Sequence, residues 1–288
     1  MTAKKPFGIL FNEDFMHFIE SRHRLGISPD REEIQKFLLQ YKGSQVTDFI
    51  FNLNASLSYT PSKILQTCFD KYLQKEENGV PVDYTDSYLE TAYRIQIVQG
   101  IDLYGEWIRL CREIGIRPWL SFRLNDCHDN LQPAGLRSSD YFHEAQRKGL
   151  ARVRHRPPED YYDRCLDFKK GEVQERLLAY IEEQVNRYDA DGVELDWMRE
   201  MFCFVPGEEE QGREILNEFT RQVRRILDAA EKKWGHEIRI MARLPRDPVQ
   251  AYQDGFDYYT WVREHLVDVL VITPRWGTCD NQMPLEVW

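Results

Sequence analysis

Residues 170–197, KGEVQERLLAYIEEQVNRYDADGVELDW, contain the clearest helix-to-strand transition of this 288-residue chain. Apolar residues recur at helical spacing from Val173 to Val185, which predicts an amphipathic helix over 170–188. The short and mostly apolar segment 191–197 that follows predicts a β-strand. This stretch therefore supplies one helix and one strand of an alternating fold.

The same alternation of short apolar runs and longer amphipathic runs occurs about six times along the chain. The predicted strands are 7–11, 46–51, 116–122, 191–197, 238–242 and 268–272. The predicted helices are 29–41 with Ser28 as its N-cap, 61–75, 87–114, 170–188, 208–234 and 257–266. Helices that alternate with short apolar strands indicate an α/β fold with a parallel sheet covered on both faces.

Two features favour a closed barrel over a doubly wound sheet. No glycine-rich dinucleotide-binding turn follows the first strand, where residues 11–15 read FNEDF. Polar side chains follow nearly every strand, and in a (β/α)8 barrel these positions share one rim. The sequence therefore predicts a TIM-type (β/α)8 barrel of which this chain carries the first six βα units. We expect one domain over 1–288 that continues past Trp288 in the natural protein.

Composition and charge narrow the class of partner. The chain carries 38 Lys and Arg against 48 Asp and Glu, a net charge of −10, so we expect neither nucleic acid nor an anionic membrane as partner. We see no secretory signal and no apolar run of about 18–20 residues, so the expected location is cytoplasmic, or exported if a signal was removed. The six cysteines form no CxxC pair and are expected to be buried free thiols. No cofactor is expected, and the sequence leaves the oligomeric state open.

Two carboxylates in the fourth strand are the predicted catalytic residues. Side chains alternate along a strand, so Glu194 and Asp196 face the same way. Two carboxylates on one face near a barrel rim are costly unless they are paired or solvated, and acid–base catalysis is one reason to keep them. The alternative for Glu194 is a structural ion pair inside the barrel.

A family resemblance enters at this strand. Residues 166–200 resemble the fourth βα unit of glycoside-hydrolase-like barrel proteins, particularly the family 10-like hypothetical hydrolases, whose strand reads rYdvDGi-x-lD. The segment DGVELDW is also similar to the DGxDxDxE strand of family 18 chitinases, with Asp191, Gly192, Glu194 and Asp196 in matching positions. The catalytic Glu of that motif falls on Met198, which cannot donate a proton. The resemblance implies carboxylate-based glycosidase chemistry without the chitinase acid.

Polar and aromatic residues next to the strand ends are the predicted substrate-binding set. The set comprises Asn12, Asp14, Asn54, Arg123, Asn125, Asp126, His128, Trp197, Arg199, Arg243 and Trp276. The polar members would hydrogen-bond sugar hydroxyls, and the two tryptophans would stack on sugar faces. The alternatives are helix caps and local turns for the polar residues, and core packing for the tryptophans.

The leading functional hypothesis is a hydrolase of O-glycosidic bonds with carbohydrate as its partner. Most glycosidases use two carboxylates, and the second would come from Asp14, Asp126 or strands beyond this chain. One alternative is a carbohydrate-binding barrel without catalysis. Another is a metal-dependent hydrolase that uses Asp126, His128 and Glu194.

Overall fold

A single parallel sheet organises the chain. The computed structural model describes residues 8–27, 29–79, 87–129, 137–152, 161–274 and 282–288. Within these ranges six strands follow one another in the sheet in chain order. They are β1 (Ile9–Glu13), β2 (Val46–Asn52), β3 (Arg117–Arg123), β4 (Gly192–Asp196), β5 (Arg239–Pro245) and β6 (Val269–Thr273). Every neighbouring pair is parallel, as predicted for an α/β fold.

Helices connect the strands and cover the outer face of the sheet. They are α1 (Phe15–Arg24), α2 (Arg31–Leu39), α3 (Cys68–Glu77), α4 (Ser87–Tyr93), α5 (Leu103–Ile114), α6 (Asp140–Arg147), α7 (Gly171–Arg187), α8 (Glu209–Trp234), α9 (Pro248–Gln253) and α10 (Tyr258–Arg263). In the described ranges, no helix combines the length and the apolarity that crossing a membrane requires.

The sheet is strongly curved. Neighbouring strands lie about 4.8 Å apart, so β1 and β4 would be about 14 Å apart in a flat sheet. The side-chain amide of Asn12 on β1 nevertheless donates to Glu194 Oε2 on β4 over 3.0 Å. Only a sheet that curls toward its inner face brings these two strands so close. The six strands therefore form part of a (β/α) barrel, which confirms the predicted fold class.

The two faces of the curved sheet have different side chains. The outer face is aromatic: Phe51 stacks on Trp107 of α5 with ring centroids 5.4 Å apart, and Phe37 of α2 packs against Trp107 as well. The inner face carries a small apolar layer built from Ile50, Trp119 and Met241. This layer separates two polar regions of the barrel interior, one at each end of the strands.

The lower polar region is centred on Asp48, which is fully buried. Arg117 donates to both of its carboxylate oxygens over 2.7 and 2.6 Å, and Trp119 Nε1 donates to Oδ1 over 2.8 Å. The guanidinium of Arg239 lies over the Trp119 ring at 5.0 Å. A buried carboxylate requires such partners, so these contacts fix the amino-terminal end of the barrel.

Two predicted helices differ from the structure. The segment predicted as helix 61–75 is a loop until Thr67, whose side chain and Asp70 form a capping box that starts α3 at Cys68. The loop is held by nonlocal bonds that local periodicity does not record, such as the bond that the backbone N–H of Lys63 donates to Glu183 Oε1 over 2.7 Å. The predicted helix 87–114 is two helices: α4 ends in a π-helical turn, Arg94–Val98, and α5 starts at Leu103 with Asp102 as its N-cap.

The N-cap of α2 is also corrected. Asp30 caps this helix by accepting from the backbone N–H of Glu33 over 2.9 Å. The predicted cap, Ser28, lies outside the described residues, as does Phe7 of the predicted first strand.

Gly192 is required where β4 starts. A Cβ added at this position would lie 2.1 Å from Cε3 of the Trp119 ring, which covers the inner face of β4. Trp119 cannot move easily, because its ring nitrogen is bonded to Asp48 and its face is covered by Arg239. The close approach of an indole therefore selects glycine here.

We predict that Gly192→Ala lowers the free energy of unfolding by about 3 kcal/mol, because overpacking forces a rigid core group to shift. Gly171→Ala is the matched control, since its new Cβ would meet only Glu175 Oε1 at 3.8 Å. Its effect should stay below about 1 kcal/mol. Urea unfolding followed by circular dichroism measures both changes, and equal midpoints for the two variants would contradict the prediction.

Candidate active site

The upper end of the inner face carries most of the predicted site. The strand register places Arg123 of β3, Asp196 of β4 and Arg243 of β5 side by side at one level. Two residues earlier on the same strands, Ser121 of β3 lies next to Glu194 of β4. The prediction that Glu194 and Asp196 share one face is confirmed, because both interact with the inward-facing Arg243.

Glu194 is completely buried and surrounded by donors. Its Oε2 accepts from Asn12 Nδ2 over 3.0 Å and from Ser121 Oγ over 2.5 Å. Its Oε1 accepts from Arg243 Nε and lies 3.1 Å from Arg243 Nη2. Burial raises the pKa of Glu194, the charge of Arg243 opposes that rise, and the charge of Asp196 adds to it. This geometry matches the alternative weighed for Glu194, an ion pair inside the barrel.

Asp196 has a different environment from Glu194, although it is only two residues away. Its side chain reaches the upper end of the barrel, where the residue is 6% exposed. Oδ1 accepts from the backbone N–H of Met198 over 3.0 Å, which fixes the orientation of the carboxylate. The charge of Asp196 contributes to raising the pKa of both Arg123 and Arg243. Asp196 is therefore a fixed carboxylate between two guanidinium groups.

Arg123 connects the barrel rim to the first strand. Its Nη2 donates to Asp14 Oδ2 over 2.5 Å, and its Nη1 donates to Asp126 Oδ2 over 3.4 Å. Burial opposes the positive charge of Arg123, but Asp14 and Asp126 outweigh it and raise the pKa of the guanidinium above its ordinary value. Three predicted substrate-binding residues thus form one charged network.

Asp126, His128 and Arg199 extend this network. His128 Nδ1 lies 2.5 Å from Asp126 Oδ1, and Arg199 Nη2 lies 2.7 Å from His128 Nε2. A guanidinium can only donate, so His128 Nε2 is placed to accept from Arg199 and Nδ1 is placed to donate to Asp126. Burial acts to raise the pKa of Asp126, but the hydrogen bond from His128 and the charges of Arg123 and Arg199 lower it below its usual range.

This arrangement does not fit the metal-dependent alternative. The lone pair of His128 Nε2 already accepts from Arg199, and both oxygens of Asp126 have partners. Glu194 is bonded to other donors. In the ranges that the structure describes, no group of three His, Cys, Asp or Glu side chains is arranged to hold a metal ion.

Two predicted substrate-binding residues hold backbone segments together. The amide of Asn54 donates to the carbonyl oxygen of Arg123 over 2.9 Å, and its Oδ1 accepts from the Arg123 N–H over 3.2 Å. The amide of Asn125 donates to Leu166 O over 2.9 Å and to Phe202 O over 3.1 Å, while its Oδ1 accepts from Leu166 N over 2.8 Å. Sugar contact would require breaking these bonds.

Trp197 is corrected from a sugar-stacking platform to a core residue. It is 1% exposed, and its ring packs against Phe168, Phe219, Phe256 and Trp261 with centroids 5.4–6.4 Å apart. The side chain alternates to the outer face of β4, where α8 and α10 cover it. Trp276, the other predicted platform, lies outside the described residues.

Ser121 is a site residue that the sequence analysis missed. It is two residues before Arg123 on β3, so strand alternation places it on the same inward face. That periodicity was the available signal. Its small hydroxyl allows the carboxylate of Glu194 to lie beside β3.

Comparisons with known proteins give only distant similarity. No protein-family model matches the chain. No curated protein matches it either. Among solved structures, the chain is similar to the chitinase ChiW from Paenibacillus sp. str. FPU-7, with 11% identity, a TM-score of 0.48, and coverage of 92% of this chain and 18% of that one.

Two α-galactosidases are also similar. TtGalA from Thermus thermophilus shares 13% identity at a TM-score of 0.43, with coverage of 94% of this chain and 44% of that one. The galactosidase domain of AgaSK, an α-galactosidase–sucrose kinase, shares 12% identity at a TM-score of 0.43, with coverage of 83% and 27%. The chain thus spans less than half of the length of each of these three proteins. Likenesses of this size do not establish an activity.

We predict that Asn125→Asp lowers the free energy of unfolding by about 3 kcal/mol, because it leaves two backbone carbonyls unpaired and buries a charge. Asn186→Asp is the control, since its amide makes one exposed bond to Glu182 O over 2.9 Å. The control should change stability by less than about 1 kcal/mol. Chemical unfolding compares the two, and an unchanged midpoint for Asn125→Asp would show that its clamp is dispensable.

Glu13, at the end of β1, differs from the rim acids because it faces the helices. Its neighbours include the Phe18 backbone and Arg22, both on α1. The residue is 5% exposed, and Oε1 is buried without a hydrogen-bond partner among the described residues. Burial, aided by the charge of Asp14, raises the pKa of Glu13 from 4.5 to about 7.

This raised pKa predicts that the protein loses stability between pH 4.5 and pH 7 or slightly above. In that window the folded state binds more protons at Glu13 than the unfolded state, so the free energy of unfolding falls as pH rises. Glu13 should contribute about 3 kcal/mol to this fall, and the fall should be smaller by that amount in Glu13→Gln. Urea midpoints measured across this pH range test the prediction.

Glu32→Gln is the matched control for Glu13, because the Glu32 side chain is 73% exposed on α2. It should keep the pH dependence of the parent protein. A parent whose stability is flat between pH 5 and 8 would contradict the assigned environment of Glu13.

Proposed function

We propose that the chain carries the site of a carbohydrate-active hydrolase that cleaves O-glycosidic bonds. The main support is Asp196, a carboxylate fixed at the carboxyl end of β4 between Arg123 and Arg243. Active sites of (β/α) barrels lie at this end of the strands. The resemblance of residues 166–200 to glycoside-hydrolase-like barrels supports the same choice of reaction.

Asp196 is proposed to act as nucleophile, base or stabiliser of the positive charge that develops on the sugar ring. Its Oδ1 is held by the Met198 N–H, whereas Oδ2 has no hydrogen-bond donor among the described residues. Oδ2 is thus the oxygen that a sugar would meet. Arg123 and Arg243 place a positive charge on each side of this carboxylate.

Glu194 is proposed to support this site rather than to react. Donors from three other strands already contact its oxygens, so reaction at Glu194 would break an established network. It holds Arg243, and Arg243 in turn lies next to Asp196. Glu194 therefore acts as a positioning residue.

Asp14 is the proposed second carboxylate on this chain. Asp126 suits the role less well, because its side chain is fully buried and bonded to His128, whereas the Asp14 side chain is 23% exposed. Asp14 follows β1 and accepts a hydrogen bond from Arg123, which lies next to Asp196 in the sheet. Most glycosidases require two carboxylates, one on each side of the glycosidic bond that is cleaved.

A carbohydrate-binding barrel without catalysis remains the second candidate. It is favoured by one observation: Met198 stands where the chitinase motif has its acid, and its backbone N–H donates to Asp196. The same Asp196 carboxylate would then bind a hydroxyl group and no bond would be cleaved.

The first test is Asp196→Asn, assayed for turnover on a panel of aryl glycosides and polysaccharides. We expect turnover to fall by about 10²-fold or more while saccharide binding changes little, because the amide keeps the shape but not the charge. Asp191→Asn is the matched control: Asp191 directly precedes β4 at its opposite end, where it pairs with Arg112 over 3.3 Å. It should leave turnover unchanged.

The outcomes separate the two candidates. Turnover that survives in Asp196→Asn would overturn the role assigned to this carboxylate. Saccharide binding without turnover in the parent, weakened by Asp196→Asn, would favour the binding barrel.

A further inference from the structure

Two cysteines lie in contact next to the rim network. Sγ of Cys127 and Sγ of Cys165 are 3.5 Å apart, and both residues are completely buried. They are 38 residues apart in the chain. Three other cysteines in the described ranges, Cys68, Cys111 and Cys203, are also buried free thiols. As far as the described residues extend, the Cys127–Cys165 pair is the one place where two sulfurs meet.

The backbones on both sides of this pair are fixed by other bonds. Asn125 lies two residues before Cys127, and Leu166 lies one residue after Cys165. The side chain of Asn125 bonds both the backbone N–H and the backbone carbonyl oxygen of Leu166. The backbone N–H of Arg152 donates to the carbonyl oxygen of Cys165 over 2.7 Å. The two loops therefore meet at the sulfurs through a preformed clamp.

We propose that Cys127 and Cys165 form a dithiol site that a disulfide oxidant converts into an intramolecular disulfide. The distance between the sulfurs must shorten from 3.5 Å to about 2.0 Å, a change that small rotations of the side chains provide. The bond would tie the loop after β3 to the segment before α7. Because Cys127 lies between Asp126 and His128, the bond would also restrain that part of the rim.

Glutathione disulfide is the oxidant chosen to define the chemistry. The thiolate of one cysteine attacks a sulfur of glutathione disulfide and releases one glutathione thiolate. The second cysteine thiolate then attacks the mixed disulfide and releases the second glutathione thiolate. The protein loses two protons and two electrons, and one glutathione disulfide becomes two glutathione molecules.

Burial of both sulfurs determines how the experiment is run. An oxidant does not reach the pair in the closed fold, so the unfolded full-length chain is refolded in glutathione buffers of graded redox ratio. The products are quenched, alkylated and digested without reductant, and the peptides are identified by mass spectrometry. We expect one cross-linked peptide pair, Cys127–Cys165, and a fall from six reactive thiols to four in denaturant.

The variants distinguish this bond from random oxidation. Cys127→Ser and Cys165→Ser should each eliminate the cross-linked peptide, whereas Cys111→Ser, at a buried cysteine of α5, should keep it. A thiol count that stays at six, or cross-links spread over other cysteines, would overturn the proposal. The thiol count of the parent decides the question even if a variant does not fold.

Stability provides a second, independent readout. If the native fold holds the sulfurs in position, then the disulfide must in turn favour the native fold, because the two equilibria are linked. The oxidised protein should therefore unfold at a higher urea concentration than the reduced protein, and this difference should be absent in Cys165→Ser. An oxidised form that unfolds at the same or a lower urea concentration would overturn the proposal.

Discussion

A buried carboxylate at the centre of the barrel is the constraint on which the rest of the site depends. Glu194 is inaccessible to solvent, so its charge must be balanced and its oxygens must be bonded within the protein. Its partners come from β1, β3 and β5, through Asn12, Ser121 and Arg243. The bond from β1 cannot form in a flat sheet, so satisfying this one group requires the curvature that also brings the strand ends together.

The rim above Glu194 is a connected set of charges rather than a collection of separate ligands. Arg123 holds Asp14 and Asp126, Asp126 orients the ring of His128, and Arg199 closes the chain of contacts. Groups that are bonded on every side are costly to move, so such a network favours a rigid site. Asp196 differs in this respect, because the described residues give it one backbone donor and leave its other oxygen without one.

Strand alternation predicted the shared face of Glu194 and Asp196 because a period of two holds inside a barrel as it does in any sheet. Strand ends were predicted less well: β5 was expected to stop at residue 242, yet Arg243 continues the ladder to Pro245. Arg243 is polar although it faces the barrel interior, and a polar residue at the end of an apolar run predicts a loop. The roles of Asn54 and Asn125 depend on partners 41 to 77 residues away, which one sequence without coordinates does not specify.

Depth within the barrel explains how two neighbouring carboxylates come to differ in function. Glu194 lies one step below the rim, where three strands supply donors and burial dominates its pKa. Asp196 lies at the rim, where the described residues supply its carboxylate with one hydrogen-bond donor, the Met198 N–H. The charge of Asp196 adds to the rise in the pKa of Glu194, and the charge of Arg243 opposes it. Glu194 and Arg243 thus balance each other's charge below the rim, and a second carboxylate, Asp196, remains next to them at the rim.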